Sequence, residues 1–137
     1  MARKYDHLRS MLRGVAVTTA LSLFASPASA QDLIGAYTAY IGQPDLVNSK
    51  GARLTQPWQV LRQDRANFHR FGISQPGDEF DPFFGSIGNR KIMERMVMNG
   101  TIDPAAAKRL LQGGAVVFVR IFGKGNSGTS VTVTVAN

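Results

Sequence analysis

The sequence contains no cysteine. Disulfide bonds, thiol nucleophiles, zinc–thiolate sites and iron–sulfur clusters are therefore excluded, because each of them needs a cysteine sulfur. Histidine is almost as scarce, since only His7 and His69 occur, so sites built from several histidines are excluded after residue 30. No run of eighteen apolar residues follows Gln31, and this part of the chain is not expected to span a membrane.

Positive charge is in excess, but it is unevenly distributed. The whole chain has sixteen Lys and Arg against nine Asp and Glu, a net charge of +7. Residues 31–137 hold twelve of these cations and eight of the acids, which leaves a modest +4. We therefore expect no nucleic-acid partner. An envelope protein, an acidic envelope polymer or an anionic lipid headgroup is a more plausible partner for this charge.

Residues 1–30 have the pattern of a secretory signal peptide. A basic segment precedes the uncharged, mostly apolar run Gly14–Ala25, and Ala28-Ser29-Ala30 supplies the small residues that a signal peptidase requires. A retained membrane anchor is the alternative, but twelve residues at about 1.5 Å each do not cross a core of about 30 Å. The sequence predicts cleavage between Ala30 and Gln31, and a single exported domain over residues 31–137, periplasmic or extracellular and of bacterial origin.

Residues 31–137 predict an α+β domain, in which about three helices pack on one face of a small antiparallel sheet. The sheet is expected to combine an N-terminal strand and hairpin with a C-terminal hairpin. Turn and cap residues mark the boundaries. The predicted elements are a strand over Ile34–Ile41, a hairpin over Leu46–Leu54 with Gly51 at positive φ, a helix capped by Thr55 and ended by Gly72, a helix over Asn89–Met98, a helix from Asp103-Pro104 to Gly113, and strands over Ala115–Phe122 and Thr129–Val135.

The segment Gly123–Gly128 matches the G-x-G-x-x-G pattern of dinucleotide sites letter for letter. Such a site requires a helix after the glycines, whose N-terminus meets the pyrophosphate. Here a run of alternating Val and hydroxyl residues follows, so the glycines are predicted to form a hairpin turn. The sequence predicts no cofactor.

The C-terminal hairpin predicts one buried and one open sheet face. Because side chains alternate along a strand, Val131, Val133 and Val135 share a face. We expect them in the core together with Val117, Val119 and Ile121. The more open face would then carry an aromatic–basic strip that is a candidate binding surface, formed by Phe118, Arg120 and Phe122.

An acidic cluster, Asp78-Glu79-Phe80-Asp81, is the main candidate for metal or acid–base chemistry, together with His69. It lacks the alternating ligands and distal Glu of a calcium loop, so metal binding by these four polar side chains is the minor interpretation. The favoured interpretation is charge neutralisation between a loop and two basic helical faces. Those faces carry Arg62, Arg65 and Arg70 on one side and Arg90, Lys91 and Arg95 on the other.

The segment from Phe68 to Phe84 contains five phenylalanines in a largely irregular stretch. We expect them to fill the gap between helices and sheet, and an apolar groove for a ligand is the alternative. Basic residues are interleaved with aromatic ones from Arg62 to Phe71, and Arg62, Arg65 and Arg70 are candidate binding residues for an acidic partner. An ordinary solvated face is the favoured interpretation of these arginines.

Asp64 is placed on the apolar face of the predicted helix. At about 100° per residue it falls within the arc of roughly 100° defined by the apolar residues Val60, Leu61, Phe68 and Phe71. A buried carboxylate needs a cation or several donors, and Arg65 is the nearest candidate. Asp64 is therefore expected to clamp the helix to the rest of the fold. The alternative is a perturbed acid in a cleft with His69 at its rim, which makes these two the candidate catalytic residues.

Three classes of function remain open. The leading hypothesis is a small, non-catalytic accessory or binding module of the bacterial cell envelope, because no nucleophile–base pair or metal-ligand set is evident. The second is a small envelope hydrolase that uses acid–base carboxylates, drawn from Asp64, Asp78, Glu79 and Asp81 with His69. The third is a structural subunit that associates through its last strand, which has neither charge nor proline to protect an open edge.

Overall fold

A computed structural model describes residues 30–136. Residues 1–29 of the predicted signal peptide, which spans residues 1–30, lie outside this range, and the expected cleavage point after Ala30 is at the beginning of the range. The domain is α+β, as the sequence predicts. Its elements are β1 (Asp32–Ile41), a 3₁₀ turn (Gln43–Leu46), α1 (Pro57–Arg70), α2 (Ile87–Lys91), α3 (Met93–Met98), β2 (Thr101–Ile102), α4 (Pro104–Gln112), β3 (Ala115–Lys124) and β4 (Ser127–Val135).

The four strands form one sheet in the order β1-β3-β4-β2. The first three are antiparallel, as the sequence predicts, and β2 adds a parallel pairing with β4 that the sequence does not indicate. With two residues, β2 is too short to show any periodicity in the sequence. The predicted hairpin near Gly51 forms, with Gly51 at φ +78°, yet it makes only the bridge between Val47 and Arg53 and stays outside the sheet.

Helix α1 begins one residue later than the cap signal indicates. Its N-cap is Gln56, not Thr55, and the side chain of Gln59 accepts hydrogen bonds from both of their backbone N–H groups. Gln59, the third residue of the helix, thus reaches back to the two backbone N–H groups that precede the first turn. At the other end Gly72 adopts φ +67°, as predicted for a residue that ends a helix.

The predicted helix over residues 89–98 is two helices. Ile92 has φ −92° and ψ 5°, outside the helical region, and separates α2 from α3. Its N–H bonds to the carbonyl of Asn89, three residues back, which tightens the turn at the junction. Asp103 caps α4 with its carboxylate, as predicted. None of the helices in the described range is long and apolar enough to cross a bilayer.

The face assignment of the C-terminal hairpin is confirmed. The core-facing side chains of β3 and β4 are Val117, Val119, Ile121, Val131 and Val133, all fully buried, with Val135 partly buried beside them. Phe118, Arg120 and Phe122 lie half-buried on the opposite face. A two-residue turn joins the strands, with Gly125 at φ +58°, so the glycine-rich motif is a hairpin turn as expected.

The last strand does not have the open edge that the sequence suggests. The segment from Asn99 to Asp103 runs along β4, where the N–H of Asp103 donates to the Val133 carbonyl and the side-chain amide of Asn99 to that of Thr129. Gly100 lies against the Val131 carbonyl so closely that a Cβ would overlap it. Long-range contacts therefore protect a strand that carries no protective residue of its own.

Candidate functional site

Asp64 is buried on the inner face of α1, with 1% of its surface exposed. The Nε of Arg65 donates a hydrogen bond to its Oδ2 over 2.7 Å. Both the burial of Asp64 and its pairing with Arg65 confirm the helical projection. Arg65, the next residue in the sequence, is its partner, because a carboxylate that is withdrawn from water needs a cation nearby.

The guanidinium of Arg65 is buried with hydrogen-bond partners at Nε and Nη1, whereas its Nη2 has none within residues 30–136. It lies 4.2 Å from the ring centroid of Tyr37 on β1 and 4.7 Å from that of Phe68 on α1. Its Nη1 donates to the Glu79 carbonyl and to Oδ2 of Asp81, each over 3.0 Å. Arg65 thus joins helix, strand and the loop before α2, and it is fully buried, unlike the exposed Arg62 and Arg70 with which the sequence groups it.

Asp81 extends this network towards α2. Its Oδ2 also lies 3.1 Å from Nε2 of His69, and its Oδ1 accepts the N–H of Phe84 over 2.6 Å. We call Asp64, Arg65, Asp81 and His69 the buried clamp. Its members are nearly or wholly withdrawn from solvent, and none of them lines any of the clefts described below.

Burial dominates the electrostatics of the clamp. It raises the pKa of Asp64 to about 7, because the loss of hydration outweighs the attraction of Arg65. Burial also raises the pKa of Tyr37 well above its usual value. A carboxylate with such a pKa is typical of a general acid, but a catalytic acid must also reach substrate. The position of Asp64 fits the expected clamp better than a cleft.

Two carboxylates of the acidic cluster cover the outer edge of β1. The N–H of Tyr40 donates to Asp78 and that of Thr38 to Glu79, both over 2.8 Å, and the N–H of Glu79 donates back to the Thr38 carbonyl. The expected neutralisation of two basic helices is thus wrong for Asp78 and Glu79. It holds for Asp81 towards α1 only, because no carboxylate of residues 30–136 pairs with Arg90, Lys91 or Arg95. The described residues contain no group of three or more His, Asp or Glu side chains able to hold a metal ion.

The five phenylalanines take different positions. Phe84 is fully buried and Phe83 packs against the core, as expected for side chains that fill a gap. Phe68 is half-buried over Arg65. Phe71 and Phe80 are 52% and 69% exposed, so these two do not join the core.

The most highly charged cavity lies between α1 and α2. This cleft, which we call the cationic cleft, has a volume of about 230 Å³. Four of its lining side chains are cations and none is a carboxylate. It is lined by Arg62, Gln63, Ala66, Arg70, Ile87, Arg90 and Lys91. The three α1 positions at residues 62, 66 and 70 recur every four residues, which places them on one helical face with the small Ala66 between two arginines.

Arg90 is the deepest cation of this cleft, with only 7% of its surface exposed. Its Nη1 donates to the carbonyls of Phe84 and Gly85 over 2.7 and 3.0 Å. No carboxylate of residues 30–136 lies within 4 Å of its guanidinium. Its buried charge is therefore compensated by two carbonyl dipoles and by no ion.

The rim of the cationic cleft is held by stacking. Arg62 lies 4.7 Å from the ring centroid of Trp58, and Arg70 lies 5.1 Å from that of Phe71. These contacts orient the arginines without neutralising them. Sequence reasoning named Arg62 and Arg70 as binding residues but assigned Arg90 and Lys91 to neutralisation. The spacing of residues 62, 66 and 70 was the available signal for this face, and nothing local indicated that α2 would pack beside it.

Two other clefts lie nearby. One of about 340 Å³ borders α3 and is lined by Lys91, Ile92, Glu94, Arg95, Met98 and Asn99. Another of about 310 Å³ lies beside the β3–β4 turn and is lined by Ile34, Pro82, Phe83, Asn89, Gly125 and Asn126. The strip formed by Phe118, Arg120 and Phe122 is on the sheet face opposite the core-facing side chains, and none of these clefts includes it.

The chemistry of the cationic cleft is that of a binding site for an anion. Guanidinium and ammonium groups supply several hydrogen-bond donors, and the planar fork of arginine suits the two oxygens of a carboxylate or phosphate. Its lining has no Asp, Glu, His, Ser or Thr that could act as a base or nucleophile. No protein-family model matches this chain, and no curated protein or solved structure is similar to it.

Proposed function

We propose that this protein is a small, exported, non-catalytic binding module of the bacterial cell envelope, and that its ligand carries an anionic group, a phosphate or a carboxylate. The anionic group binds in the cationic cleft. The signal-peptide pattern of residues 1–30 supports export. β1 begins only at Asp32, so removal of the first thirty residues leaves every described element intact, which is consistent with the proposal.

The proposal rests on Arg90, a buried cation that has two carbonyl partners and no carboxylate partner among residues 30–136. Withdrawing a guanidinium from water costs several kcal/mol, and two carbonyls offset only part of that cost. A bound anion would supply the missing charge. The flanking cations Arg62, Arg70 and Lys91 would repel one another less once an anion lies between them, so binding also relieves like-charge repulsion.

The alternative of an envelope hydrolase has less support. Its candidate acids and bases are engaged elsewhere: Asp64, Asp81 and His69 form the buried clamp, while Asp78 and Glu79 accept hydrogen bonds from β1. A glycosidase mechanism needs two carboxyl groups that face a common substrate. In the described part of the chain the candidate carboxylates do not line any of the three clefts.

The proposal is tested by titrating the purified protein with inorganic phosphate against sodium chloride of equal ionic strength. Trp58 is the only tryptophan in the sequence and stacks on Arg62, so its fluorescence and its indole NMR signal report on the cleft through that arginine. We expect saturable changes with phosphate that chloride does not reproduce.

Matched variants make the test specific. Lys91→Gln removes a cleft cation and should weaken phosphate binding about tenfold, the effect of losing one charge-assisted hydrogen bond. Lys108→Gln removes a lysine of α4 that is also exposed, and should leave binding unchanged. Equal affinities in the two variants, or a response to phosphate that equals the response to chloride, would rule the proposal out.

A further inference from the structure

Exposed apolar side chains lie among the cations of the cleft. Ile87, which lines the cationic cleft, is 56% exposed, and Met98 on α3 is 76% exposed. Met98 lines the neighbouring cleft together with Arg95, and Lys91 lines both clefts. The two clefts therefore adjoin at Lys91, and we call the surface that carries both of them the helical face. It carries Arg62, Arg70, Ile87, Arg90, Lys91, Arg95 and Met98.

We propose that the helical face docks on the surface of a bilayer that contains anionic lipids. A lipid phosphate occupies the cationic cleft, while Ile87 and Met98 enter the boundary between headgroups and acyl chains. This inference rests on the proposed function, whose anion site it uses, and names lipid phosphate as the anion.

Charge complementarity supports a lipid surface. Five cations line the two clefts, and Glu94 is the single acid among their lining residues. Lysine and arginine side chains that lie near an anionic leaflet are attracted to it, and salt screens this attraction within a Debye length of about 8 Å at physiological ionic strength. A bilayer presents many phosphates, so one phosphate can enter the cleft towards Arg90 while others meet the exposed cations around it.

The apolar side chains distinguish a bilayer from other anionic partners. A soluble polyanion would pair with the cations but would leave Ile87 and Met98 in water. A second copy of the same face would bring like charges together. A membrane interface takes up both kinds of side chain, because the acyl boundary lies directly beneath the phosphates. Peripheral docking of this kind needs no membrane-spanning helix.

The test is co-sedimentation of the purified protein with vesicles of phosphatidylcholine alone and of phosphatidylcholine with phosphatidylglycerol. We expect binding only to the vesicles that contain phosphatidylglycerol, and a loss of binding as the sodium chloride concentration is raised.

The double variant Ile87→Ser, Met98→Ser should bind these vesicles about tenfold more weakly, since it loses the apolar contribution. Leu33→Ser is the matched control, because Leu33 is 57% exposed on β1, outside the helical face, and should bind as the wild type does.

The outcomes separate this inference from the proposed function. Phosphate binding without vesicle binding overturns membrane docking and leaves the anion site standing. Failure to bind either one overturns both. Equal binding to the two kinds of vesicle contradicts the role of charge, and vesicle binding that survives both serine substitutions contradicts the helical face as the docking surface.

Discussion

Nη1 of Arg65 donates a hydrogen bond to Oδ2 of Asp81 over 3.0 Å, across sixteen residues of sequence. Through Asp81 the contact continues to the N–H of Phe84, and the carbonyl of Phe84 in turn accepts a hydrogen bond from Arg90. The buried clamp and the cationic cleft are thus consecutive parts of one polar network. The clamp fixes the loop that holds the deepest cation of the cleft.

Arg65→Lys is expected to lower the free energy of unfolding by about 1–3 kcal/mol, the effect of leaving buried acceptors without a hydrogen bond. A lysine ammonium cannot reach Asp64, Asp81 and the Glu79 carbonyl at once, whereas the guanidinium bonds to all three. Urea denaturation measures the change. Arg62→Lys on the exposed face of α1 is the control and should fall within about 0.5 kcal/mol of the wild type. Equal stability of the two variants would contradict the clamp.

Asp64 should make stability depend on pH in a direction opposite to most carboxylates. Its pKa of about 7 in the folded state exceeds the ordinary value of 3.8, so the folded state binds the proton more tightly. Its contribution to stability is therefore complete below about pH 4 and is lost as pH rises through 7.

Comparison with Asp64→Asn isolates this effect, because asparagine is uncharged at every pH. Between pH 4 and 7 the free energy of unfolding of the wild type should fall relative to that of Asp64→Asn, by up to about 1.4 kcal/mol per pH unit. Urea denaturation of both proteins at each pH provides the measurement. A difference that stays constant over this range would show that Asp64 does not hold a raised pKa.

The acidic loop should protect the edge of β1. Asp78→Ala removes the acceptor for the N–H groups of Tyr40 and Gln75, and is expected to cost about 1–3 kcal/mol. Hydrogen exchange at Tyr40 should accelerate in this variant, because its amide loses its partner. Glu94→Ala, an exposed carboxylate on α3, serves as the control. Unchanged exchange at Tyr40 would argue against this role of the loop.

Export can be tested at its cleavage site. Ala30→Phe should block processing of the full-length chain, since a signal peptidase requires a small residue there, whereas Ser29→Phe should leave processing intact because the middle position is unrestricted. Mass spectrometry of the extracytoplasmic protein should find Gln31 at the new N-terminus. An intact N-terminus at Met1 or Ala2 in the wild-type protein would contradict the prediction.

Local signals determined much of the fold. The apolar periodicity of α1 placed Asp64 on its buried face, and the alternation of valine with Ser and Thr assigned the faces of the C-terminal hairpin. Gly72 and Asp103 marked helix ends correctly. Each of these features depends on residues that lie close together in the sequence, within one helix or one strand. The regular backbone geometry of that element therefore determines which way their side chains face and where the helix ends. The predicted cap is misplaced by one residue, because the helix begins after Gln56 and the side chain of Gln59 binds the N–H groups of Thr55 and Gln56.

Only the tertiary structure decided which polar side chains meet. Asp78 and Glu79 bond to β1 across 38 and 41 residues of sequence, and no local pattern distinguishes them from acids that neutralise a helix. Arg62, Arg65 and Arg70 look alike in the sequence, yet Arg65 is fully buried, whereas the other two join Arg90 at the cationic cleft. Such partners are selected by the packing of α1 on β1 and α2, since an arginine is buried only where acceptors from distant segments converge on it.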